Sequence, residues 1–258
     1  MHIAVCIKQV PDPSQARIDR ETGMVIREGV DKITNPFDLY ALEEALRLKE
    51  SLGGQVTALS MGPPAAADVL KEAIAMGVDD SVLLSDRQFA GADTLATSYT
   101  LSLAISKLED INLIICGKQA ADGDTAQVGP GLAANLSIPH VTQVRKIREL
   151  NAGEIVVERL TETGYEVVAV NLPAVITVVK EINEPRIPGL RGMMRAKKAD
   201  IPVWDAQAIG ADPARLGLNG SPTRVWRTFE PARHGKGEML TGSPSEQAAL
   251  LWKRLRSL

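Results

Sequence analysis

Across the first 145 residues, short runs of consecutive apolar positions alternate with stretches in which apolar residues recur every three or four places. His2–Ile7 reads as a buried strand. Asn35 then offers an N-cap with Pro36 at the first helical position; Leu39, Leu42, Ala45 and Leu46 follow at helical spacing, and Gly53 stops the helix. Gln55–Met61 is the next strand, and Gly62-Pro63-Pro64 turns into a helix over Ala65–Met76 that ends at Gly77. The pattern continues with a strand at Ser81–Leu84, a helix over Asp93–Leu108, a strand at Asn112–Cys116, a helix over Gln127–Leu136 and a strand near Val141–Val144. Strands alternating with helices of this length predict βαβ crossovers and a three-layer α/β fold, with a parallel sheet covered on both faces. Ligands of such sheets bind at the carboxyl ends of strands, where strand order reverses. Three loops hold that position: Lys8–Pro13, Met61–Pro64 and Gly117–Thr125.

The pattern changes after residue 145. Glu154–Leu160 and Tyr165–Val170 alternate apolar and polar residues around Thr163-Gly164, which predicts a β-hairpin addition, and Ala174–Lys180 reads as a further strand. Residues 183–242 are rich in Gly, Pro and Arg and carry no periodicity that would build an independent core. Ser243-Pro244-Ser245-Glu246 then forms a capping box, and the closing helix sets Ala248, Leu251, Trp252 and Leu255 on one face. That face needs a cover, either the chain's own sheet or a partner. The division expected is an α/β domain over 1–205 and an extended C-terminal arm ending in a helix over 206–258.

Charge sharpens this division. The 258 residues carry a net charge of −3, but residues 1–180 hold 16 basic and 24 acidic groups while residues 181–258 hold 13 and 8. An acidic body with a basic tail suggests that the tail docks elsewhere, whereas scattered cations with few aromatics argue against nucleic acid. No apolar run reaches the ~18–20 residues of a membrane span, so no membrane insertion is expected. The opening MHIAVCIKQV meets a charge too soon for a secretory signal, and a cytoplasmic protein follows. Cys6 and Cys116 lie in apolar runs and read as small core residues. His2, His140 and His234 have no metal-ligand spacing, and there is no nucleophile elbow or Cys–His signature, which argues against a metalloenzyme or a hydrolase.

The best candidate chemistry is the loop GKQAADGDTAQVGP, Gly117–Pro130, lying between a strand and a helix. Backbone N–H groups there can converge on an anion, helped by the helix dipole. Gly117 and Gly123 allow positive φ and close backbone approach. Thr125 and Gln127 offer neutral hydrogen bonds to phosphate or ribose. Asp122 and Asp124 would repel a phosphate directly; capping the helix, binding ribose hydroxyls and facing adenine amino groups are their open alternatives. The spacing is not G-x-G-x-x-G, so physics alone gives an anion-friendly βα turn that could also be an ordinary one.

Five ordered segments carry more. Val5-Cys6-Ile7-Lys8-Gln9-Val10 followed by Pro11-Asp12; Asn35-Pro36-Phe37-Asp38 with its helix ending EEALRLKE; Met61-Gly62-Pro63 with AIAMGVD (Ala73–Asp79); GKQAADGDTAQVG; and LPAVITV with Asn183-Glu184-Pro185-Arg186, ending at Met194–Lys198, together resemble the β subunit of electron transfer flavoproteins over roughly residues 1–205. The resemblance implies an adenine-nucleotide α-hydrolase-like domain paired with a larger, FAD-carrying α subunit. Its nucleotide would touch Cys6, Asn35, Asp38, Met61 and the loop residues Gly117, Lys118, Gln119, Ala120, Asp122, Gly123, Asp124, Thr125, Ala126, Gln127 and Val128. Ordinary members hold AMP there, on a loop resembling DDDCNQTG. Electron-bifurcating members hold a second FAD on a loop resembling DGDTAQVGP, which is the type matched here. That type implies an electron carrier whose β-site FAD takes hydride from NADH at N5. The electrons then divide between the α-subunit FAD, with an acyl-CoA dehydrogenase-type partner, and ferredoxin or flavodoxin; no side chain is needed as acid or base. The family's dehydrogenase-recognition loop falls on Asn183–Ala196, with Leu190 as its apolar anchor and Arg186, Arg191 and Arg195 around it, although Pro188-Gly189 departs from ordinary members. Rival readings are a carrier with structural AMP and a nucleotide sensor of the universal-stress type.

Overall fold

A computed structural model describes residues 1–12, 14, 17–18, 25–26, 31–226, 237 and 239–256. Pro13 of the expected strand-end loop and residues 227–236, 238 and 257–258 of the expected arm lie outside the described residues. The opening strand β1 (His2–Cys6) leads through β2 (Gln9–Pro11), β3 (Arg17–Ile18), β4 (Val25–Ile26) and β5 (Lys32–Thr34) into α1 (Pro36–Leu52). β2 pairs antiparallel with β5, and β3 with β4. Then follow β6 (Gln55–Met61), α2 (Ala67–Met76), β7 (Asp80–Leu84), α3 (Thr94–Ser106), β8 (Ile111–Gly117) and α4 (Val128–Leu136). The remainder is β9 (His140–Leu150), β10 (Glu154–Thr161), β11 (Gly164–Asn171), β12 (Ala174–Val178), α5 (Leu190–Lys198), β13 (Val203–Trp204) and α6 (Pro244–Leu255).

Nine described strands form one sheet in the order β11-β10-β9-β12-β8-β1-β6-β7-β13. The run from β9 to β13 is parallel, and β10 and β11 join antiparallel as the expected hairpin. The period of two in β1 sorts its side chains by layer. Ile3 and Val5 enter the apolar cluster shared with α1 and α2, while Ala4 and Cys6 enter the one shared with α3 and α4. From β1 the chain builds outward through β6 and β7, then crosses to β8 on the other side of β1. The reversal therefore lies between the carboxyl ends of β1 and β8.

Several elements depart from the sequence reading, among them β2 (Gln9–Pro11), a strand inside the expected loop Lys8–Pro13, and its partner β5. β9 runs to Leu150, well past Val144, because its outer half (Arg145, Lys146, Arg148, Glu149) leaves the buried sheet to pair with β10, where Arg148 Nε meets Glu158 Oε1 at 2.8 Å. Within residues 183–226 the chain is less irregular than expected. These residues contain α5 and the edge strand β13, and Ala206, Ile209 and Leu216 are buried in the α3–α4 cluster. α5 escapes a periodicity search because it is nine residues long and buries only Ala196. The segment beyond residue 205 stays on the body as far as Thr223, whose hydroxyl donates to Asp93 Oδ2 at 2.8 Å; Asp93 also caps α3 through the N–H groups of Leu95 and Ala96. The capping box of α6 forms as expected, with Ser243 and Glu246 bonded reciprocally. Its apolar face is not folded back on the sheet: Leu251, Trp252 and Leu255 are all exposed. No described helix is long and apolar enough to cross a membrane.

Candidate nucleotide site at the strand switch point

The crevice is built around Asn35 and Asp38. Asn35 occupies the N-cap position of α1, yet its side chain makes no capping bond. It reaches instead across to the loop after β8. Its Nδ2 donates to the Gln119 carbonyl at 2.8 Å and to Asp38 Oδ1 at 2.9 Å, and its Oδ1 accepts from the Ala121 N–H at 3.0 Å. One turn on, Asp38 Oδ2 accepts from the Lys8 N–H at 2.7 Å, and the Gly117 N–H also points to this carboxylate. Helix α1 thus binds the ends of the two central strands and the loop into one unit. Burial pushes the Asp38 carboxyl up to about 7, against the opposing hydrogen bonds from Asn35, Lys8 and Gly117. Its near neighbours are all donors, so the ionised form fits the pocket and only desolvation resists it.

Gly117 is required by this junction. A Cβ there would stand 2.3 Å from Asp38 Oδ1 and 2.7 Å from the Phe37 carbonyl carbon, so only glycine lets β8 meet α1. Neither Gly117 nor Gly123 takes up the positive φ that glycine allows; Gly117 serves the close approach instead. The left-handed residues are Asp124 (φ 44°) and Ala126 (φ 54°), while Gly123 faces open space. The chain turns at Asp124 because its N–H and that of Gly123 both close on the Ala120 carbonyl, at 2.8 and 3.3 Å. Asp residues tolerate the left-handed region better than most; for Ala126 the structure offers no comparable local reason.

Ala126 in the left-handed region followed by Gln127 at φ −111°, ψ −12° aims successive N–H groups to one side, as in an anion nest. The N–H groups of Thr125, Ala126, Gln127, Val128 and Gly129 make no hydrogen bond among the described residues, and α4 begins at Val128 without a side-chain cap. Five free donors at a helix start suit a phosphate or pyrophosphate. Of the open readings for the two loop carboxylates, helix capping is not what forms. Asp122 is neutralised by Lys8, with Nζ 2.7 and 2.9 Å from its two oxygens. Gly129 lets α4 lie flat on β12, since a Cβ there would stand 2.4 Å from Thr177 Cγ2.

The expected residues largely converge. Cys6 and Cys116 are register partners on β1 and β8, and the Cys116 thiol is held well above its ordinary range by its hydrogen bond with Cys6 and by burial, so it is inert toward electrophiles. Met61 closes β6 beside them, the Lys118 N–H donates to the Val178 carbonyl, and Gln127 Oε1 lies 3.5 Å from Thr94 Oγ1. Asn35 and Asp38 sit in this group as builders of the loop, with their polar atoms turned to the protein. Lys8 and Gly129 lie in loops expected to hold a ligand, although neither is among the residues expected to touch it. A lone lysine after a strand has no signature, but a glycine beside a helix start is a readable sign of close packing.

The expected docking residues lie elsewhere, over α1 and the carboxyl end of α2. Leu190 is 72% exposed and Arg191 is exposed. Arg186 and Arg195 are not a free cationic ring. Arg186 is bound to Glu43 and Glu50, and Arg195 Nη2 donates to the Ile74 carbonyl at 2.6 Å and to that of Val78.

A doubly wound α/β sheet with a donor-rich loop at its switch point is the class that this fold and site define. Residues 22–209 match the family model described as the electron transfer flavoprotein domain. The chain is 48% identical over 258 residues to the electron transfer flavoprotein subunit beta of Thermoanaerobacterium thermosaccharolyticum, covering 100% of this chain and 98% of that one. It is 48% identical over 250 residues to the caffeyl-CoA reductase-Etf complex subunit CarD of Acetobacterium woodii, covering 96% and 95%. It is also 45% identical over 265 residues to the protein FixA of Azotobacter vinelandii, covering 100% and 94%. The chain belongs to the electron transfer flavoprotein family, in its β-subunit branch.

Proposed function

We propose that this chain is the small subunit of a heterodimeric, cytoplasmic electron transfer flavoprotein of the bifurcating type, with FAD rather than AMP at the β1–β8 crevice. The observation that carries the reading is the row of unpaired N–H groups from Thr125 to Gly129 beside Gly123, where no atom stands within 4 Å of a would-be Cβ. Donors on that scale suit a pyrophosphate, and the open side at Gly123 leaves it room to continue outward. Thr125 and Gln127 add neutral donors, and Lys8 holds the Asp122 charge away from an incoming phosphate. When bound, FAD supplies the hydride and single-electron chemistry with NADH, the α-subunit flavin and ferredoxin or flavodoxin. The protein's part is to bind it, orient it and keep the site shaped, and both cysteines beside the crevice, Cys6 and Cys116, are buried. A relative named for a caffeyl-CoA reductase complex supports an acyl-CoA dehydrogenase-type partner. The uncovered faces of α5 and α6 suit that partner and an α subunit, respectively.

Co-purification with the α subunit and a count of cofactors tests this. Two FAD per heterodimer, with bleaching of flavin absorbance by NADH, is the expected result. One FAD with one AMP, and no response to NADH, assigns the chain to the non-bifurcating carriers instead.

A further inference from the structure

Residues 183–198 present apolar side chains on a backbone held down at three points. Ile187 is 92% exposed and Leu190 72%, with Met193 and Met194 also largely open. The first hold is on α1. Asn183 Nδ2 donates to the Tyr40 carbonyl at 3.0 Å and to Glu44 Oε2 at 2.9 Å, and the Arg186 N–H donates to Glu43 Oε2 at 3.0 Å. The second is the Arg186 guanidinium, which spans two carboxylates: its Nε is 2.8 Å from Glu43 Oε2, its Nη1 2.5 Å from Glu50 Oε1 and its Nη2 3.1 Å from Glu50 Oε2. The third is on α2. Arg195 donates to the Ile74 and Val78 carbonyls at the helix's carboxyl end, and Gly192 packs so closely on Ala75 that a Cβ would stand 2.0 Å from its carbonyl oxygen.

Glu43 is 3% exposed, and such a carboxylate is kept only when it is paired. Burial alone would raise it, but hydrogen bonds from Arg186 and Arg47 outweigh burial and hold it below the ordinary carboxylate range. Arg186 therefore has no charge left to offer a partner. Arg191, Lys197 and Lys198, by contrast, are exposed and make no ion pair among the described residues.

We propose a division of labour in this segment. Arg186 is a positioning residue that seats Ile187 and Leu190 on α1 through Glu43 and Glu50, while Arg191, Lys197 and Lys198 read the negative charge of a docking protein. The proposal rests on the docking role given to this segment above. It goes beyond that role in separating the cation that shapes the surface from the cations that attract. A preordered apolar peg lowers the ordering cost of association, whereas exposed cations act through salt-screened steering.

The test uses the full chain with R186Q, E43Q and R191Q/K198Q. Hydrogen exchange of the amides over 187–194 reads the seating, and binding of an acyl-CoA dehydrogenase at several salt concentrations reads the docking. R186Q and E43Q are expected to speed exchange about tenfold, as for loss of a local hold, and to weaken binding with the salt dependence unchanged. R191Q/K198Q is expected to leave exchange unchanged and to flatten the salt dependence. Wild-type exchange in R186Q together with a flattened salt dependence overturns the proposal, because Arg186 would then be a docking charge. If wild-type protein binds no such dehydrogenase, the docking reading fails by itself. The exchange arm still decides whether Arg186 seats the segment.

Discussion

Replacing Asn35 by alanine separates two roles that look alike in sequence. As an N-cap, Asn35 would contribute about 1 kcal/mol, and serine would replace it at almost no cost. In the structure its amide caps nothing and makes three hydrogen bonds, to Asp38, Gln119 and Ala121, from a position only 1% exposed. Each such bond contributes roughly 0.5–1.5 kcal/mol net, and a buried partner left unsatisfied raises that toward the upper end. Asn35→Ala should therefore cost about 3 kcal/mol. For a chain of this size that lowers the melting temperature by roughly 6–12 °C.

Asn35→Ser is the decisive companion. Serine restores a cap but cannot span from the start of α1 to both Gln119 and Ala121, so it should melt close to the alanine variant. The loop carrying the free N–H row loses its tie in both variants. Each should therefore retain less adenine nucleotide after gel filtration, measured by chromatography of the denatured protein. A serine variant that melts within 2–3 °C of wild type, a shift of about 1 kcal/mol or less, refutes the staple and returns Asn35 to an ordinary cap.

Asp38 carries a pH signature with a defined sign. Its folded value of about 7 lies above the ordinary 3.8, so the folded state holds the extra proton; this contribution to stability is complete below about pH 4 and is lost as pH rises through about 7. Asn at this position should flatten that part of the stability profile between pH 5 and 8, read as the difference in urea midpoint from wild type. Glu43, whose carboxyl is held low, gives the opposite trend: its contribution is present at neutral pH and is lost on acidification, and E43Q should remove it. Gly192→Ala places a methyl 2.0 Å from the Ala75 carbonyl oxygen, so α5 must lift; overpacking of about 1–3 kcal/mol exceeds the helix propensity gained, and exchange over residues 190–198 reports it. Trp252→Ala removes a side chain that is 62% exposed and should leave the melting temperature of the isolated chain unchanged, while weakening α-subunit association in a pull-down.

The parts of the fold that were legible in sequence are those in which one physical rule acts alone. Consecutive apolar runs at His2–Cys6 and Asn112–Cys116 must be buried on both faces, which dictates a parallel sheet and places the crevice at their ends. The Ser243–Glu246 box needs only its four residues. Illegible parts combine rules from distant elements. Asn35-Pro36 reads as a cap because local spacing says so, but the amide is claimed by a loop 84 residues away. Arg186 reads as an exposed cation because nothing near it in sequence is acidic except Glu181 and Glu184, while its true partners lie on α1.

These two long-range claims meet on one helix. Asn35 at the N-cap of α1 holds the loop that carries the free N–H groups, and Tyr40, Glu43, Glu44 and Glu50 along the helix hold the segment that carries Ile187 and Leu190. Helix α1 is the longest of the described helices and packs on β1, β6 and β8, with no glycine within it and its only proline at the first position. A helix of 17 residues spans about 25 Å, so the two surfaces are held at a set separation by a rigid element rather than by a loop. Protein-mediated electron transfer depends steeply on distance. Under the proposed function, in which this chain places a flavin relative to an arriving partner, that fixed spacing matters more than any catalytic side chain.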